Sequence, residues 1–289
     1  MLSIVAPVYN EASILREFVA RCTRAAEQRD LPFELVIVDD ASTDDTPAVL
    51  AELARDARVR PYRLPSNAGQ FRATQAGLRA TRGTWTVVLD GDLQDPPEEI
   101  PRLVDALSGA APAVLAVLAV KSHRADPMVF MVGQYLFHRV QYALSRVALP
   151  RGAGTYCVMR RAVARRVAMA ELAQANLAAV VAVAVQALGG KLAAVPYEKG
   201  PRYDRSGRVG WAGLVVEALA SLAATGALSR LLALKAITLS AGAVASAGHP
   251  RARVAMLGVG ALAATLAVGV GHRTRRALAG VRASDPGDG

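Results

Sequence analysis

From Leu2 to Val120 the chain alternates short apolar, β-branched runs with stretches whose apolar residues recur at helical spacing, and this alternation restricts the fold more than any other feature. The runs Leu2 to Pro7, Phe33 to Val38, Arg58 to Leu64, Trp85 to Leu89 and Val114 to Val120 read as strands. After the first of them Ile14, Leu15, Phe18, Val19, Cys22, Ala25 and Ala26 fall on one helical face, and further helices are expected near Gln70 to Ala80 and Glu98 to Leu107. Pro47 suits the first turn of another helix, with Asp45 or Thr46 as its cap. Such repetition implies an α/β domain in which helices cover a mostly parallel sheet, and sheets of that kind bind ligands at the carboxyl ends of their strands.

The second half of the chain has a different character. Residues 1–129 hold 14 Lys and Arg against 18 Asp and Glu, a net −4, whereas residues 130–289 hold 20 against 6, a net +14. After Pro127 the alternation loosens into helices, with strands expected near Tyr156 to Met159 and Leu192 to Tyr197. The stretch EKGPRYDRSGRVG (198–210) reads as a basic loop rich in turn formers. Beyond it lie an apolar helix from about Trp211 and two apolar runs, Leu231 to Ala247 and Val254 to Gly271, the second with 18 uncharged residues, the lower limit for a membrane-crossing helix. Residues of the AVILMFWYC set make up 53% of the chain and mean hydropathy is +0.26, so part of it is expected to meet lipid.

Two crossings would return the tail, with Arg273, Arg275, Arg276 and Arg282, to the side of the N-terminal domain, and the positive-inside rule puts both ends in the cytoplasm. The expected organisation is a domain over 1–210, a juxtamembrane helix over 211–230, two membrane helices within 231–272 and a basic, partly disordered tail over 273–289. Buried core helices or a hairpin lying in the interface are the alternative for the two apolar runs. The first strand begins at Leu2, with no secretory segment before it, and Cys22 and Cys157 suggest neither a disulfide framework nor a zinc cluster. The N-terminal domain is therefore expected on the cytoplasmic face of the cell membrane. Basic residues beside apolar segments suit anionic headgroups or phosphates, and with aromatics at 5% nucleic acid is disfavoured as a partner.

The segment VVLDGDLQDPPEEIP (87–101) carries the most chemistry. Asp90 and Asp92 end a buried strand, and Gly91 between them gives the backbone room to approach a ligand. Two hard carboxylates with the Gln94 carbonyl suit Mg2+ or Mn2+, which prefer oxygen ligands and share them with water and diphosphate. The residues that follow read as a helix start, with Asp95 as N-cap, Pro96 and Pro97 in the first turn, and Glu98 and Glu99 complementing the dipole.

Four segments, IVAPVYNEA (4–12), VIVDDASTDDT (36–46), NAGQFRATQAG (67–77) and LDGDLQDPPEEIPRL (89–103), resemble in order the inverting family 2 glycosyltransferases. The Leu-Gln-x-Pro-Pro-Glu extension is similar to the polyprenyl-phosphate branch, which includes dolichyl-phosphate mannose synthases and undecaprenyl-phosphate sugar transferases. The resemblance covers residues 2–127 well and the remainder loosely. It implies a GT-A-type domain that binds a nucleotide-diphospho-sugar, linked to UDP or GDP, through Pro7, Tyr9, Asn10, Glu11, Asp39, Asn67, Gly69 and Asp90. Tyr9 would stack on the nucleoside and Asp39 would accept base or ribose hydrogen bonds, while Asp40 is left to orient its turn and Ser42 and Thr43 to satisfy backbone donors.

By the same resemblance KSHRADP (121–127) supplies Lys121 and Arg124 to an acceptor phosphate, and PYEKGPRYDRSGR (196–208) supplies Arg202 and Ser206. Lys121 stands where relatives carry Arg, which removes a bidentate fork. The implied reaction is metal-dependent, inverting transfer of a monosaccharide to a polyprenyl phosphate, with Asp92, Arg202 and Arg124 at the reacting groups. A phosphate monoester with a second pKa of about 6 needs no general base. The alternative is transfer to a hydroxyl of a glycolipid or secondary metabolite, which would require one; assembly into a homo-oligomer is left open.

Overall fold

The structure is a computed structural model in which residues 1–122, 143, 147–170 and 176–200 are described. Seven strands form one sheet in the order β3-β2-β1-β4-β6-β5-β7: β1 Leu2–Val8, β2 Phe33–Asp39, β3 Val59–Arg63, β4 Trp85–Val88, β5 Val114–Lys121, β6 Ala153–Arg160 and β7 Lys191–Tyr197. β1, β2, β3 and β4 pair in parallel, and so do β5 and β7. β6 runs antiparallel to both β4 and β5, so it alone reverses direction among the described strands. The carboxyl ends of the other six therefore share one edge with the amino end of β6.

The expected elements agree with these to within a few residues, and α3 spans Gln70–Ala80. Strand alternation explains the layering. Leu2, Ile4, Ala6 and Val8 of β1 face a cluster containing helices α1 (Leu15–Glu27), α2 (Thr46–Leu53) and α4 (Ile100–Ser108). Val5, with Val36, Val38 and Val88, faces the opposite cluster of α3, α5 (Arg161–Ala168) and α6 (Leu177–Ala187). Leu15, Phe18, Val19, Cys22, Ala25 and Ala26 of α1 are all buried, as their spacing requires. α6 is buried along Leu177 to Val185 and is capped by Asn176, whose Oδ1 accepts from Ala179 N at 3.1 Å.

The cap of α2 corrects the sequence reading in one respect. Asp45 stands at the N-cap position, as expected, but makes no capping bond with its side chain; Asp44 Oδ1 accepts from Thr46 N at 3.0 Å, and its Oδ2 accepts from Ala12 N at 3.2 Å. Thr46 Oγ1 instead accepts from Glu11 N at 2.9 Å. The sequence around α2 is thus spent on holding the turn after β1. The chain leaves β5 and re-enters β6 at one place, where Lys121 N donates to Gly152 O at 3.3 Å.

No helix among the described residues is long and apolar enough to cross a membrane. The expected juxtamembrane helix, the two membrane helices and the basic tail all lie outside the described residues, as does most of the basic loop.

Candidate active site

Successive strands lie on one side of β1 until β3, and β4 then returns to the other side. That reversal splays the connections after β1 and β4 apart and opens a crevice at the carboxyl edge. A cleft of about 220 Å³ lies there, lined by Pro7, Val8, Tyr9, Glu11, Asp40, Gln70, Asp90, Gly91 and Asp92. Three of its bordering turns contain a non-glycine residue with positive φ: Asn10 at 57°, Ala41 at 61° and Leu93 at 59°. Such backbone is held only where the surroundings enforce it.

Those surroundings are visible residue by residue. Asn10 Oδ1 accepts from Thr43 N at 2.8 Å, and Asn10 N donates to Ser42 Oγ at 2.9 Å, so the turns after β1 and β2 lock each other. Asp40 does more than orient its own turn: its two oxygens accept from Ala68 N at 2.7 Å and Gly69 N at 2.8 Å, clamping the loop before α3. Gly69 has φ 86°, which a side chain would oppose. Asn67 is exposed and, like Gly69, does not line the cleft. Tyr9 is 44% exposed at the mouth, leaving its ring face accessible.

Asp39 is buried, with Oδ1 accepting from Ser42 N at 2.8 Å and Oδ2 3.0 Å from Arg63 Nη1. Oδ2 receives no aligned hydrogen bond although it is shut away from solvent beneath Arg63. Asp40, rather than Asp39, lines the cleft.

Asp90, Gly91 and Asp92 all face the cleft. A Cβ on Gly91 would lie 2.5 Å from Val8 Cγ1, so the close packing on strand β1 also requires this glycine. Gln70 Nε2 donates to Asp90 Oδ1. Asp92 Oδ1 accepts from Gln94 N at 3.0 Å and Oδ2 from Gln94 Nε2 at 2.6 Å. In this arrangement Gln94 holds Asp92, and its amide would have to turn over to offer a carbonyl to an ion. Burial first, then the charges of Asp95 and Asp92, push the Asp90 carboxyl up to about 7. Two oxygen-rich groups crowded in this way suit a hard divalent cation, whose charge would offset their repulsion. Among the described residues no three His, Cys, Asp or Glu side chains gather to hold a metal, so Gln94, water or ligand oxygens would have to complete the coordination.

Asp95 is the largest departure from the sequence reading. It caps no helix: the 3₁₀ turn Pro97–Glu99 has Pro96 at its N-cap position, and Asp95 is 2% exposed beneath the loop. Tyr197 OH donates to Asp95 Oδ1 at 2.5 Å, and Lys199 Nζ lies 4.0 Å from the same oxygen. Burial raises the Asp95 carboxyl, while Tyr197, Lys199 and Lys121 act to lower it. Glu98 pairs with Arg21 of α1 at 2.6 Å, whereas Glu99 makes a local pair with Arg102 in the first turn of α4 at 2.7 Å. Lys121, at the end of β5, is thus beside the acidic group; Arg124, Arg202 and Ser206 lie outside the described residues. Tyr197, Lys199, Gln70 and Thr155, which hydrogen-bonds Asp90, carry no signal of their role in the sequence, because only the tertiary fold brings them to this edge.

The glycosyl transferase family 2 model matches residues 3–168. The chain belongs to that family. In sequence it is 43% identical over 127 residues to the undecaprenyl-phosphate 4-deoxy-4-formamido-L-arabinose transferase of Sodalis glossinidius, covering 43% of this chain and 38% of that one. To the protein of the same name from Pseudomonas fluorescens it is 37% identical over 178 residues, 60% of this chain and 49% of that one. The match thus spans about two fifths to half the length of these curated relatives. Among solved structures, mannosyl-3-phosphoglycerate synthase from Rubrobacter xylanophilus superposes with a TM-score of 0.57 at 19% identity, covering 81% of this chain and 74% of that one. A mannosyltransferase from Pyrobaculum calidifontis, solved with GDP-Man and Mn2+, gives 0.50 at 20% identity over 97% and 75%. These likenesses establish the GT-A-like α/β fold of this family 2 chain.

Proposed function

We propose that this family 2 chain transfers a monosaccharide from a nucleotide-diphospho-sugar to a polyprenyl phosphate, with inversion and with Mg2+ or Mn2+, at the cytoplasmic face of a membrane. The observation that carries the reading is the Asp90 and Asp92 pair, presented at the carboxyl end of a central strand into the crevice where strand order reverses. The names of the curated relatives support undecaprenyl phosphate as the acceptor, and the solved mannosyltransferase with GDP-Man and Mn2+ supports a metal and a nucleotide-sugar donor.

In this mechanism Tyr9 offers its exposed ring to the base, and Asp39 would accept a hydrogen bond from base or ribose once Arg63 moves off its Oδ2. Pro7, Asn10, Glu11, Asn67 and Gly69 shape the turns that receive the nucleotide, and Asp40 keeps two of those turns in register. Asp90 and Asp92 would hold the divalent ion, with Gln94 orienting Asp92 or joining it as a ligand. Bound there, the ion supplies neutralisation of the charge that builds on the departing nucleoside diphosphate. Lys121, Arg124, Arg202 and Ser206 would hold the acceptor phosphate, whose dianion attacks the anomeric carbon in line without a general base. The helices expected within 231–272 would anchor the chain.

Incubating the full chain with undecaprenyl phosphate, Mn2+ or Mg2+ and a panel of UDP- and GDP-sugars tests the reading. A lipid-linked monosaccharide that disappears with EDTA is expected; sugar found only on hydroxyl acceptors would reject the polyprenyl-phosphate assignment. Carbonate extraction checks the anchor: the full chain should remain in the membrane pellet.

A further inference from the structure

Asp95 takes no part in that mechanism, although it is buried directly behind it. The loop 92–96 rests on strands β6 and β7 through a set of bonds converging on three consecutive residues. Tyr197 OH donates to Asp95 Oδ1 at 2.5 Å, Gly200 N donates to Gln94 O at 2.8 Å, and Tyr156 OH donates to Pro96 O at 3.0 Å. The two tyrosines brace each other edge to face, with ring centroids 5.5 Å apart. Lys199 adds its charge at 4.0 Å from Asp95.

From this platform the loop turns through Leu93, at φ 59° and 3% exposed, and Gln94 then grips both oxygens of Asp92. A left-handed leucine does not hold such a turn by itself. Its position must come from the bonds on either side. A Cβ at Gly200 would lie 3.2 Å from Leu93 O, so the chain after β7 packs closely on this turn.

We propose that Asp95 is a positioning residue through which the end of strand β7 sets the geometry of the Asp90 and Asp92 pair. The inference rests on the proposed function for its consequence, ion binding, but not for its mechanical content. A carboxylate suits the task because it accepts the tyrosine hydroxyl while attracting the ammonium 4.0 Å away, and burial strengthens both interactions. Pro196 and Tyr197 of β7 open, in sequence, the segment 196–208 that contains the expected phosphate-binding Arg202 and Ser206. Asp95 accordingly joins the ion-binding turn to the first residues of the acceptor segment.

Hydrogen exchange on the metal-free full chain tests the mechanical part. Loss of one charge-assisted bond should speed exchange at the amides of Gln94 and Gly200 at least about tenfold in Tyr197→Phe and in Asp95→Ala. Asp95→Asn, which can still accept from the tyrosine, should stay within about threefold of wild type. Unchanged exchange at both amides in the first two variants would overturn the proposal, as would an equal acceleration through the amides of β1 and β2, which would mean only general loosening. Titrating Mn2+ in the presence of UDP, followed by electron paramagnetic resonance, then reads the consequence. Tyr197→Phe should weaken the apparent affinity at least about fivefold with Asp95→Asn nearer wild type. Wild-type protein that binds no Mn2+ would refute the metal-dependent function while leaving the exchange result to decide the role of Asp95.

Discussion

The two ends of the sheet handle buried charge in opposite ways. At the amino end Glu34 of β2 accepts from Ser3 Oγ at 2.6 Å, from Arg82 N at 2.6 Å and from the Arg60 guanidinium, while Gly83 N donates to Ser3 Oγ at 2.8 Å. Burial opposes the charge, but these donors outweigh it and hold the Glu34 carboxyl below its ordinary range. At the carboxyl end burial first, and then the charges of neighbouring aspartates, raise the Asp90 and Asp95 carboxyls. One end uses a carboxylate to fasten three strands. The other keeps carboxylates under-compensated and holds them with left-handed turns, which is how a fold stores capacity for a cation and a charged ligand.

The largest effect expected from breaking this contrast is on chemistry. Asp92→Ala should lower turnover by about 10²- to 10³-fold, the range for losing one electrostatic stabiliser, with thermal stability retained. Near-normal turnover would reject the assignment. Glu34→Ala should do the reverse: about 3 kcal/mol of unfolding free energy lost in urea denaturation, because the buried donors of Ser3 and Arg82 lose their acceptor, with activity of the folded fraction preserved. Between these extremes lies Asp40, a carboxylate at the carboxyl end that is fully occupied. Asp40→Ala should cost about 1.5 kcal/mol and expose the 66–69 loop to proteolysis, whereas Asp40→Asn, retaining one acceptor, should lose less.

The finest test is the pH dependence of stability in metal-free protein, where the two ends should have opposite signs. Glu34 has a lowered folded pKa, so its stabilisation is present above its ordinary value of 4.5 and is lost as pH falls through the folded pKa. Asp90 has a raised folded pKa, so the folded state binds its proton more tightly than the unfolded chain does. Stability from this group should decline as pH rises from 3.8 toward about 7. Glu34→Gln should flatten the acid limb and Asp90→Asn the limb above it, both measured as melting temperature across pH. Identical profiles for the two variants would erase the distinction between the ends.

Local signals were legible in the sequence and distant ones were not. The apolar face of α1, the limits of α3 and strand β4 just before Asp90 follow from spacing over a few residues, and the Asp-Gly-Asp pattern stands out because it sets two hard carboxylates just beyond a buried run. Asp95 followed by two prolines and two glutamates satisfies every local rule for a helix cap, yet its partner is Tyr197, 102 residues away. No local rule could reveal that, since it depends on β6 being inserted in reverse between β4 and β5. The side-chain bond at the start of α2 was hidden on a smaller scale: Asp44 and Asp45 are equally suited by type, and the choice between them was made by the turn at Ala12.

The reversed strand has one more effect. Because β6 runs against its neighbours, the chain leaves the sheet at Lys121 and returns at Gly152 with the two ends already hydrogen-bonded to each other. The entropy of closing an excursion whose ends are pinned grows only with the logarithm of its length, about 0.6 kcal/mol for each doubling. A change in the number of residues between those anchors should therefore carry little thermodynamic penalty. Length can thus vary at this point of the working edge with little cost to the sheet, whereas the identity of Arg124 within the stretch stays tied to the proposed chemistry.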